Sequence, residues 1–357
     1  MDNQARRISR TVRVGGLPLG GGSPILVQSM TNTDTHDVAA TLAQVRALEA
    51  AGCDIVRLAV PDLAAAETFS ALKEAGVTVP LVADIHFDYR IALASIEAGA
   101  DKIRINPGNI GSRERVLAVA RAAGARGVPI RIGVNSGSLE KSILERHGAP
   151  TPEALAESAL YHASLLEEVG FSDIVISVKA SDVAGMIRAN RILAEKTDYP
   201  LHLGVTEAGG LRAGRIKSAV GIGALLADGI GDTVRVSLTA DPVHEVPAAR
   251  DILASLGLDP TRRLDVVSCP TCGRTKIDLI PLLSEFEARL DKEGLRSLPI
   301  KVAFMGCAVN GPGEAREADI GIAGGDGEAL LFRRGEIIGK YPASEIVSVL
   351  ISAIKRL

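Results

Sequence analysis

Residues 80–106 read PLVADIHFDYRIALASIEAGADKIRIN. The stretch begins and ends with short runs of β-branched and aliphatic residues, and the segment between them has the apolar spacing of a helix. The same alternation predicts eight strands, at 25–30, 54–60, 80–86, 102–106, 129–134, 173–179, 201–206 and 233–238. Eight strands that are each followed by a helical stretch predict an α/β fold of the (βα)8 TIM-barrel type. No GxGxxG motif follows the first strand, as it would in a doubly wound sheet.

A second module follows the barrel. The repeat pattern changes around Asp259 and Pro260. The sequence beyond them predicts a strand at DVVSCP (265–270), a helix over 275–293, a strand at PIKVAFMG (299–306), a hairpin-like pair, ADIGIAGG (318–325) and ALLFRRGEIIGK (329–340), and a final helix. We therefore predict a TIM-barrel domain over 1–259 and a smaller α+β domain over 260–357.

Composition excludes several classes of protein. The 357 residues are 46% hydrophobic and 23% charged, which is typical of a folded globular protein. The net charge of -3 argues against a surface that coats nucleic acid. The N-terminal segment lacks the apolar core of a signal peptide, and no run approaches the roughly 20 apolar residues of a spanning helix. The prediction is a cytoplasmic protein that binds neither nucleic acid nor membranes.

Polar side chains are abundant where the barrel strands end. Chemistry in such barrels takes place at these C-terminal strand ends. Four arginines and a lysine converging there need an anion or partner carboxylates, and arginine is suited to bidentate phosphate recognition. The alternative is a structural ion-pair layer in which these bases pair with Asp84, Glu207 and neighbouring acids. The residues at the strand ends are Gln28, Ser29, Arg57, Asp84, His86, Arg104, Asn106, Arg131, Asn135, Lys179, Thr206, Glu207, Arg235 and Ser237.

Three of the four cysteines lie in the second module. Cys269 and Cys272 form a CxxC pair, and Cys307 lies in a Gly-rich segment. In a reducing cytosol such a pair holds metal or carries out redox chemistry more often than it forms a disulfide. Glu314, across an Asn-Gly-Pro-Gly turn, is a candidate fourth ligand. Spacing alone leaves iron–sulfur and structural zinc open, and a thioredoxin-type dithiol is less favoured. Cys53 reads as a packed, inert thiol.

Eight motifs carry a family resemblance along nearly the whole chain. They are VQSMTNTDT (27–35), ADIHFD (83–88), RINPGNIG (104–111), RIGVNSGSLE (131–140), VISVKAS (175–181), LGVTEAG (203–209), SCPTCGR (268–274) and MGCAVNGPGEA (305–315). Together they resemble the bacterial 4-hydroxy-3-methylbut-2-enyl diphosphate synthase family of the methylerythritol phosphate route to isoprenoids, in its shorter, two-domain form.

The resemblance implies an activity and a cofactor. The activity is the reductive ring opening of 2-C-methyl-D-erythritol 2,4-cyclodiphosphate, with two electrons entering one at a time from flavodoxin or ferredoxin. A [4Fe-4S] cluster would be held by Cys269, Cys272, Cys307 and Glu314. The resemblance also implies a head-to-tail homodimer, in which the cluster domain of one subunit covers the barrel of the other.

The resemblance further implies roles for the residues of the barrel mouth. Arg57, Arg104, Arg131 and Lys179 would grip the diphosphate, while Asp84, His86, Asn106, Asn135, Arg235 and Ser237 would shape the pocket. Glu207 would be the acid/base residue near the reacting carbons.

Two rival functions belong to other classes. One is a zinc-stabilised, non-redox transferase, with a barrel similar in layout to dihydropteroate synthase, and such a zinc protein would be colourless. The other is a binding or regulatory module without catalysis, which the density of ionisable groups in one pocket disfavours.

Overall fold

The computed structural model describes residues 6–261, 264–307 and 315–357. The chain divides into two compact units, Met1–Leu258 and Asp259–Leu357. In the described residues no helix combines the length and the apolar character needed to cross a membrane.

The first unit is a parallel barrel, which confirms the predicted fold class. Its eight strands pair in chain order, and a bridge between Ile176 and Leu201 joins β8 to β9 and brings the ring close to closure. The strands are β3 Leu26–Met30, β4 Ile55–Ala59, β5 Leu81–Ile85, β6 Lys102–Ile105, β7 Ile130–Asn135, β8 Ile174–Lys179, β9 His202–Leu203 and β10 Thr233–Val234.

The last two barrel strands are shorter than predicted. Strands were expected over 201–206 and 233–238, but regular pairing ends at Leu203 and Val234. Two further ladder bonds follow, from the Arg235 N–H to the Leu203 carbonyl at 2.9 Å and from the Thr206 N–H to the Ala180 carbonyl at 3.3 Å. The Leu238 N–H instead donates to the Glu245 carboxylate at 3.1 Å, so a side chain replaces the neighbouring strand as the acceptor.

Helices surround the barrel and follow its strands. Several begin at an aspartate or threonine whose side chain accepts a backbone N–H of the first turn, for example Asp88 from Arg90 and Asp182 from Ala184 and Gly185. The helices are α1 Val38–Ala50, α2 Leu63–Ala66, α3 Thr68–Glu74, α4 Tyr89–Glu97, α5 Pro107–Ile110, α6 Arg113–Arg126, α7 Lys141–His147, α8 Pro152–Glu167, α9 Val183–Lys196, α10 Leu211–Ala227 and α11 Glu245–Ser255.

A hairpin that the sequence analysis did not predict closes the bottom of the barrel. Strands β1 (Val12–Val14) and β2 (Leu17–Leu19) pair antiparallel through Gly15 and Gly16, which both have positive φ. Two consecutive positive φ values are the geometry of a tight hairpin turn. The hairpin belongs to an apolar cluster at the N-terminal ends of the barrel strands, formed by Val12, Val14, Leu19, Leu26, Ile55, Val82 and Val175.

In its described residues, the second unit consists of a five-stranded sheet with two α-helices packed on it. The sheet order is β11-β12-β13-β14-β15, with the first three strands parallel and the last two antiparallel. Its elements are β11 Asp265–Ser268, α12 Leu279–Lys292, β12 Lys301–Met305, β13 Ile320–Gly324, β14 Glu328–Arg333, β15 Glu336–Pro342 and α13 Ile346–Ile354.

The predicted hairpin of this unit is confirmed by the antiparallel pairing of β13 with β14, but its second segment contains two strands. The segment 329–340 was read as one partner of a hairpin, but it folds back on itself as β14 and β15. Arg334 and Gly335 both have positive φ, so they form the two-residue turn that divides the segment.

Candidate active site

Strand register determines which side chains fill the barrel. Inward-facing residues alternate along each strand, and alternate strands supply the four members of each layer. From bottom to top, the layers are Ile55, Lys102, Val175 and Thr233; Gln28, Val82, Arg131 and His202; Arg57, Arg104, Ser177 and Arg235; Met30, Asp84, Gly133 and Gly204; then Ala59, Asn106, Lys179 and Ser237. Branched aliphatic residues dominate such layers in most barrels, whereas the upper layers here are mainly basic and polar.

Asp84 is the central acid of this basic region. Its Oδ1 accepts a hydrogen bond from Nη1 of Arg104 at 3.0 Å, and its Oδ2 lies 3.8 Å from Nε of Arg57. Burial alone would raise the pKa of Asp84, but the charges of Arg57 and Arg104 outweigh it and hold that pKa well below its usual value. Asp84 is therefore a carboxylate throughout the neutral range.

Arg131 and Lys179 are less well compensated than the other bases. Arg131 is 1% exposed, and its Nε and Nη1 find no hydrogen-bond partner among the described residues. Burial, together with the charges of neighbouring arginines, lowers the pKa of both Arg131 and Lys179 well below their usual values. Burial likewise lowers the pKa of Arg57, to about 10. An anion bound between these groups would relieve both the desolvation and the mutual repulsion.

Two glycines make room for the cationic groups. A Cβ on Gly133 would lie 2.4 Å from Nε of Arg104, and a Cβ on Gly204 would lie 2.7 Å from Nζ of Lys179. Both glycines belong to the Asp84 layer, so two of the four positions in this layer carry no side chain. The guanidinium and the ammonium occupy the space that two side chains would otherwise fill.

Glu245 is a site residue that the sequence analysis missed. It lies in the first turn of α11, and its two oxygens accept from Nε and Nη2 of Arg235, both at 3.2 Å. The same carboxylate accepts the Ser29 hydroxyl at 2.8 Å, so it ties the ends of β3 and β10 together. The sequence offered one signal for Glu245, its position at the start of the helix that follows the last barrel strand. The contact with Arg235 depends on the tertiary structure.

Other predicted residues lie around the rim. His86 is half exposed, with Nε2 4.0 Å from Oδ2 of Asp84. Asn106 is buried, and Asn135 and Ser237 are partly buried at the ends of their strands. Glu207 is exposed and has a φ of 52°, a left-handed conformation that is costly for a residue with a side chain and that is common at functional sites.

Two carboxylates, Asp84 and Glu245, form ion pairs with the mouth bases among the described residues. The alternative of a structural ion-pair layer named Asp84, Glu207 and neighbouring acids. Asp84 and the neighbouring Glu245 do pair with bases, whereas Glu207 forms no ion pair in the described part of the chain. Arg131 and Lys179 form no ion pair within the same residues. The arrangement is one of excess positive charge, which suits a polyanionic ligand.

The cysteines of the second unit lie at the ends of adjacent strands. Cys269 follows β11 and Cys307 follows β12, and these two strands are paired in parallel. The Gly306 N–H donates to Sγ of Cys269 at 3.1 Å. Cys272 is exposed, and its pKa is lowered, chiefly by a hydrogen bond from the Arg274 backbone. The lowered pKa of Cys272 favours its thiolate, the form that binds iron.

Glu314, the predicted fourth ligand, lies outside the described residues. Within the described ranges no three His, Cys, Asp or Glu side chains converge as a metal site. Cys53 belongs to the barrel core, where burial raises the pKa of its thiol to about 12.

Comparison with known proteins supplies the family. A family model described as the GcpE TIM-barrel domain matches residues 9–250, and one described as the GcpE protein C-terminal domain matches residues 265–356. A relative from Geobacillus thermodenitrificans is 58% identical over 99% of this chain and 93% of its own length. One from Geobacter sulfurreducens is 56% identical over 98% of both. Both are named 4-hydroxy-3-methylbut-2-en-1-yl diphosphate synthase (flavodoxin).

Solved structures resemble this chain over about 70% of its length. The 3-dehydroquinate dehydratase of Geobacillus kaustophilus superposes with a TM-score of 0.52 at 16% identity, over 70% of this chain and 98% of its own. The dihydropteroate synthase of Stenotrophomonas maltophilia superposes with a TM-score of 0.51 at 17% identity, over 70% of this chain and 97% of its own. At such identities the likeness concerns the fold and not the chemistry.

Proposed function

The chain belongs to the GcpE family, and from this premise we propose that it converts 2-C-methyl-D-erythritol 2,4-cyclodiphosphate into 4-hydroxy-3-methylbut-2-enyl diphosphate. In this reaction a ring C–O bond breaks, two electrons and one proton enter, one water leaves, and the product carries a linear diphosphate. The near-complete coverage by relatives that carry this enzyme's name supports the proposal. It makes the protein an oxidoreductase.

The single observation that carries the substrate assignment is the buried, undercompensated cationic cluster. Arg57, Arg104, Arg131 and Lys179 would bind the diphosphate. A charge-assisted contact of this kind is worth about 1.5–3 kcal/mol. The cyclic diphosphate is a compact polyanion that brings the missing negative charge into one small volume. Asp84, His86, Asn106, Asn135, Arg235 and Ser237 would shape the pocket around it.

Glu207 is the proposed acid/base residue. Water can leave from a hydroxyl only if that oxygen receives a proton, so a carboxyl group near the reacting carbons is required. The exposed position of Glu207 beyond the end of β9, at the mouth of the barrel, supports this role.

The proposed cofactor is a [4Fe-4S] cluster held by Cys269, Cys272, Cys307 and Glu314. When bound, it would supply single electrons at low potential. Three thiolates and a more exchangeable carboxylate form a suitable donor set for a cluster that acts on a substrate. The N–H of Gly306 towards Cys269 supports the assignment, because such donors tune cluster potential.

We propose flavodoxin, or alternatively ferredoxin, as the electron donor. The names of the relatives include flavodoxin. We further propose a cytoplasmic homodimer, because the substrate pocket and the cluster ligands lie on different units and must meet. A strict monomer with full activity would contradict the dimer.

The first experiment is an ultraviolet–visible spectrum with iron and sulfide analysis on anaerobically purified protein. We expect a brown protein with about four irons per chain and turnover of the cyclodiphosphate with reduced flavodoxin. A colourless protein with stoichiometric zinc would reject the redox mechanism and favour a transferase.

Glu314 can be tested with a matched control. Glu314→Ala should lower iron content and turnover while the unfolding midpoint stays close to that of the wild type, because one of four ligands is lost. Glu317→Ala, which removes an exposed glutamate three residues away, should change neither iron content nor turnover. Equal iron content and turnover in the two variants would reject Glu314 as a ligand.

A further inference from the structure

We propose that Met30 is a positioning residue, whose thioether sulfur holds the guanidinium groups of Arg57 and Arg235 in place for the substrate diphosphate. The inference rests on the proposed function and adds a residue to it. Sequence analysis singled out Gln28 and Ser29 at the end of β3 but not Met30.

The sulfur is the meeting point of two cationic groups. Sδ of Met30 lies 3.0 Å from Nε and 2.8 Å from Nη2 of Arg57. It also lies 3.7 Å from Nη1 of Arg235. Strand β3 pairs with β4 on one side and β10 on the other, so the two arginines approach Met30 from opposite neighbours.

A carboxylate lies beside each arginine: Glu245 accepts two hydrogen bonds from Arg235, and Asp84 forms an ion pair with Arg57 through the same Nε that faces the sulfur. Arg235 uses Nε and Nη2 for the fork with Glu245, which leaves Nη1 directed at the sulfur. Arg57 has Asp84 at 3.8 Å and uses Nε and Nη2 for the sulfur, which leaves Nη1 for an anion. The thioether therefore completes the orientation of both guanidinium groups.

Sulfur suits this position because it accepts weakly and carries no charge. A carboxylate between the two arginines would neutralise the charge that attracts the diphosphate. An aliphatic side chain would leave the N–H groups of Arg57 without an acceptor in the free protein, so the guanidinium could turn towards Asp84. A neutral acceptor keeps both the geometry and the positive potential.

The rival interpretation is that Met30 only fills space, as methionines often do. Met186 provides the comparison within the same chain. Its Sδ also accepts a hydrogen bond, from Nδ2 of Asn190 at 3.3 Å, but it lies on α9 and is fully buried in the core of the unit. Met186→Leu therefore makes the same chemical change away from the pocket.

The experiment compares Met30→Leu, Met30→Gln and Met30→Glu with Met186→Leu, all as anaerobically purified holoenzyme. Calorimetry gives the Kd for the cyclodiphosphate and for inorganic pyrophosphate, and steady-state assays separate KM from kcat. We expect Met30→Leu to raise both Kd values and KM about tenfold, with kcat changed less than about twofold, because one well-oriented contact is lost. Met30→Gln should recover most of that affinity, Met30→Glu should bind more weakly than Met30→Leu, and Met186→Leu should match the wild type.

Two results would overturn the inference. Wild-type affinity in Met30→Leu would show that the sulfur does not orient the arginines. Equal loss in Met30→Leu and Met30→Gln would show that volume matters and that the acceptor does not. A failure of the proposed function has a different signature, since the wild type itself would then neither bind nor turn over the cyclodiphosphate.

Discussion

Replacing Gly133 with alanine should displace a substrate-binding arginine without disturbing the fold. The new Cβ would lie 2.4 Å from Nε and 2.8 Å from Nη2 of Arg104, and the three nearest atoms all belong to this side chain. Ordinary contact begins at 3.4 Å, so Nε must retreat by about 1.0 Å (3.4 - 2.4). The 3.0 Å bond from Nη1 to Asp84 cannot survive such a movement unchanged.

The size of the effect follows from that displacement. A misplacement of about 1 Å in a positioned group can cost about 100-fold, which corresponds to about 2.7 kcal/mol. We expect Gly133→Ala to raise the Kd for the cyclodiphosphate about 10- to 100-fold in calorimetry on the holoenzyme. The unfolding midpoint should change little, because a flexible side chain can move aside.

Gly223→Ala is the matched control. Gly223 lies in α10, and a Cβ there meets nothing within 4 Å. Its Kd should equal that of the wild type. The reasoning is refuted if Gly133→Ala binds within twofold of the wild type, since Arg104 would then tolerate the shift or take no part in binding.

Two further predictions concern the balance between stability and function. Arg131→Met removes a buried cation that is poorly compensated, so chemical denaturation should show that the free energy of unfolding of the free protein rises by about 1 kcal/mol or more. Calorimetry should show that the binding free energy of the substrate weakens by about 1.5–3 kcal/mol. A variant that loses both stability and substrate affinity would indicate that Arg131 belongs to a structural ion pair. Glu207→Gly relieves the left-handed backbone at φ 52° and should raise the free energy of unfolding by about 1 kcal/mol while abolishing turnover. Glu207→Gln keeps the strain, so it should lose turnover at unchanged stability, and equal stability of the two variants would contradict strain at this position.

The eight-stranded barrel was predictable because each of its signals is local. Alternating strand and helix periods are visible in any one repeat, such as 80–106, and parallel pairing then brings all C-terminal strand ends to one face. The short hairpin of β1 and β2 escaped prediction because three-residue strands carry too little periodicity. The turn at Arg334 and Gly335 escaped because a non-glycine residue occupies one of its left-handed positions.

The sequence by itself determined the repeat, the change of pattern near Asp259, and the basic chemistry of the strand ends, since these depend on residue type and spacing along the chain. Only the tertiary structure decided the layers: that Gly133 and Gly204 lie level with Asp84, that Glu245 reaches back to Arg235, and that Met30 lies between two arginines. These relations join residues up to 205 positions apart. Strand register and barrel closure create them, and neither can be read from one segment alone.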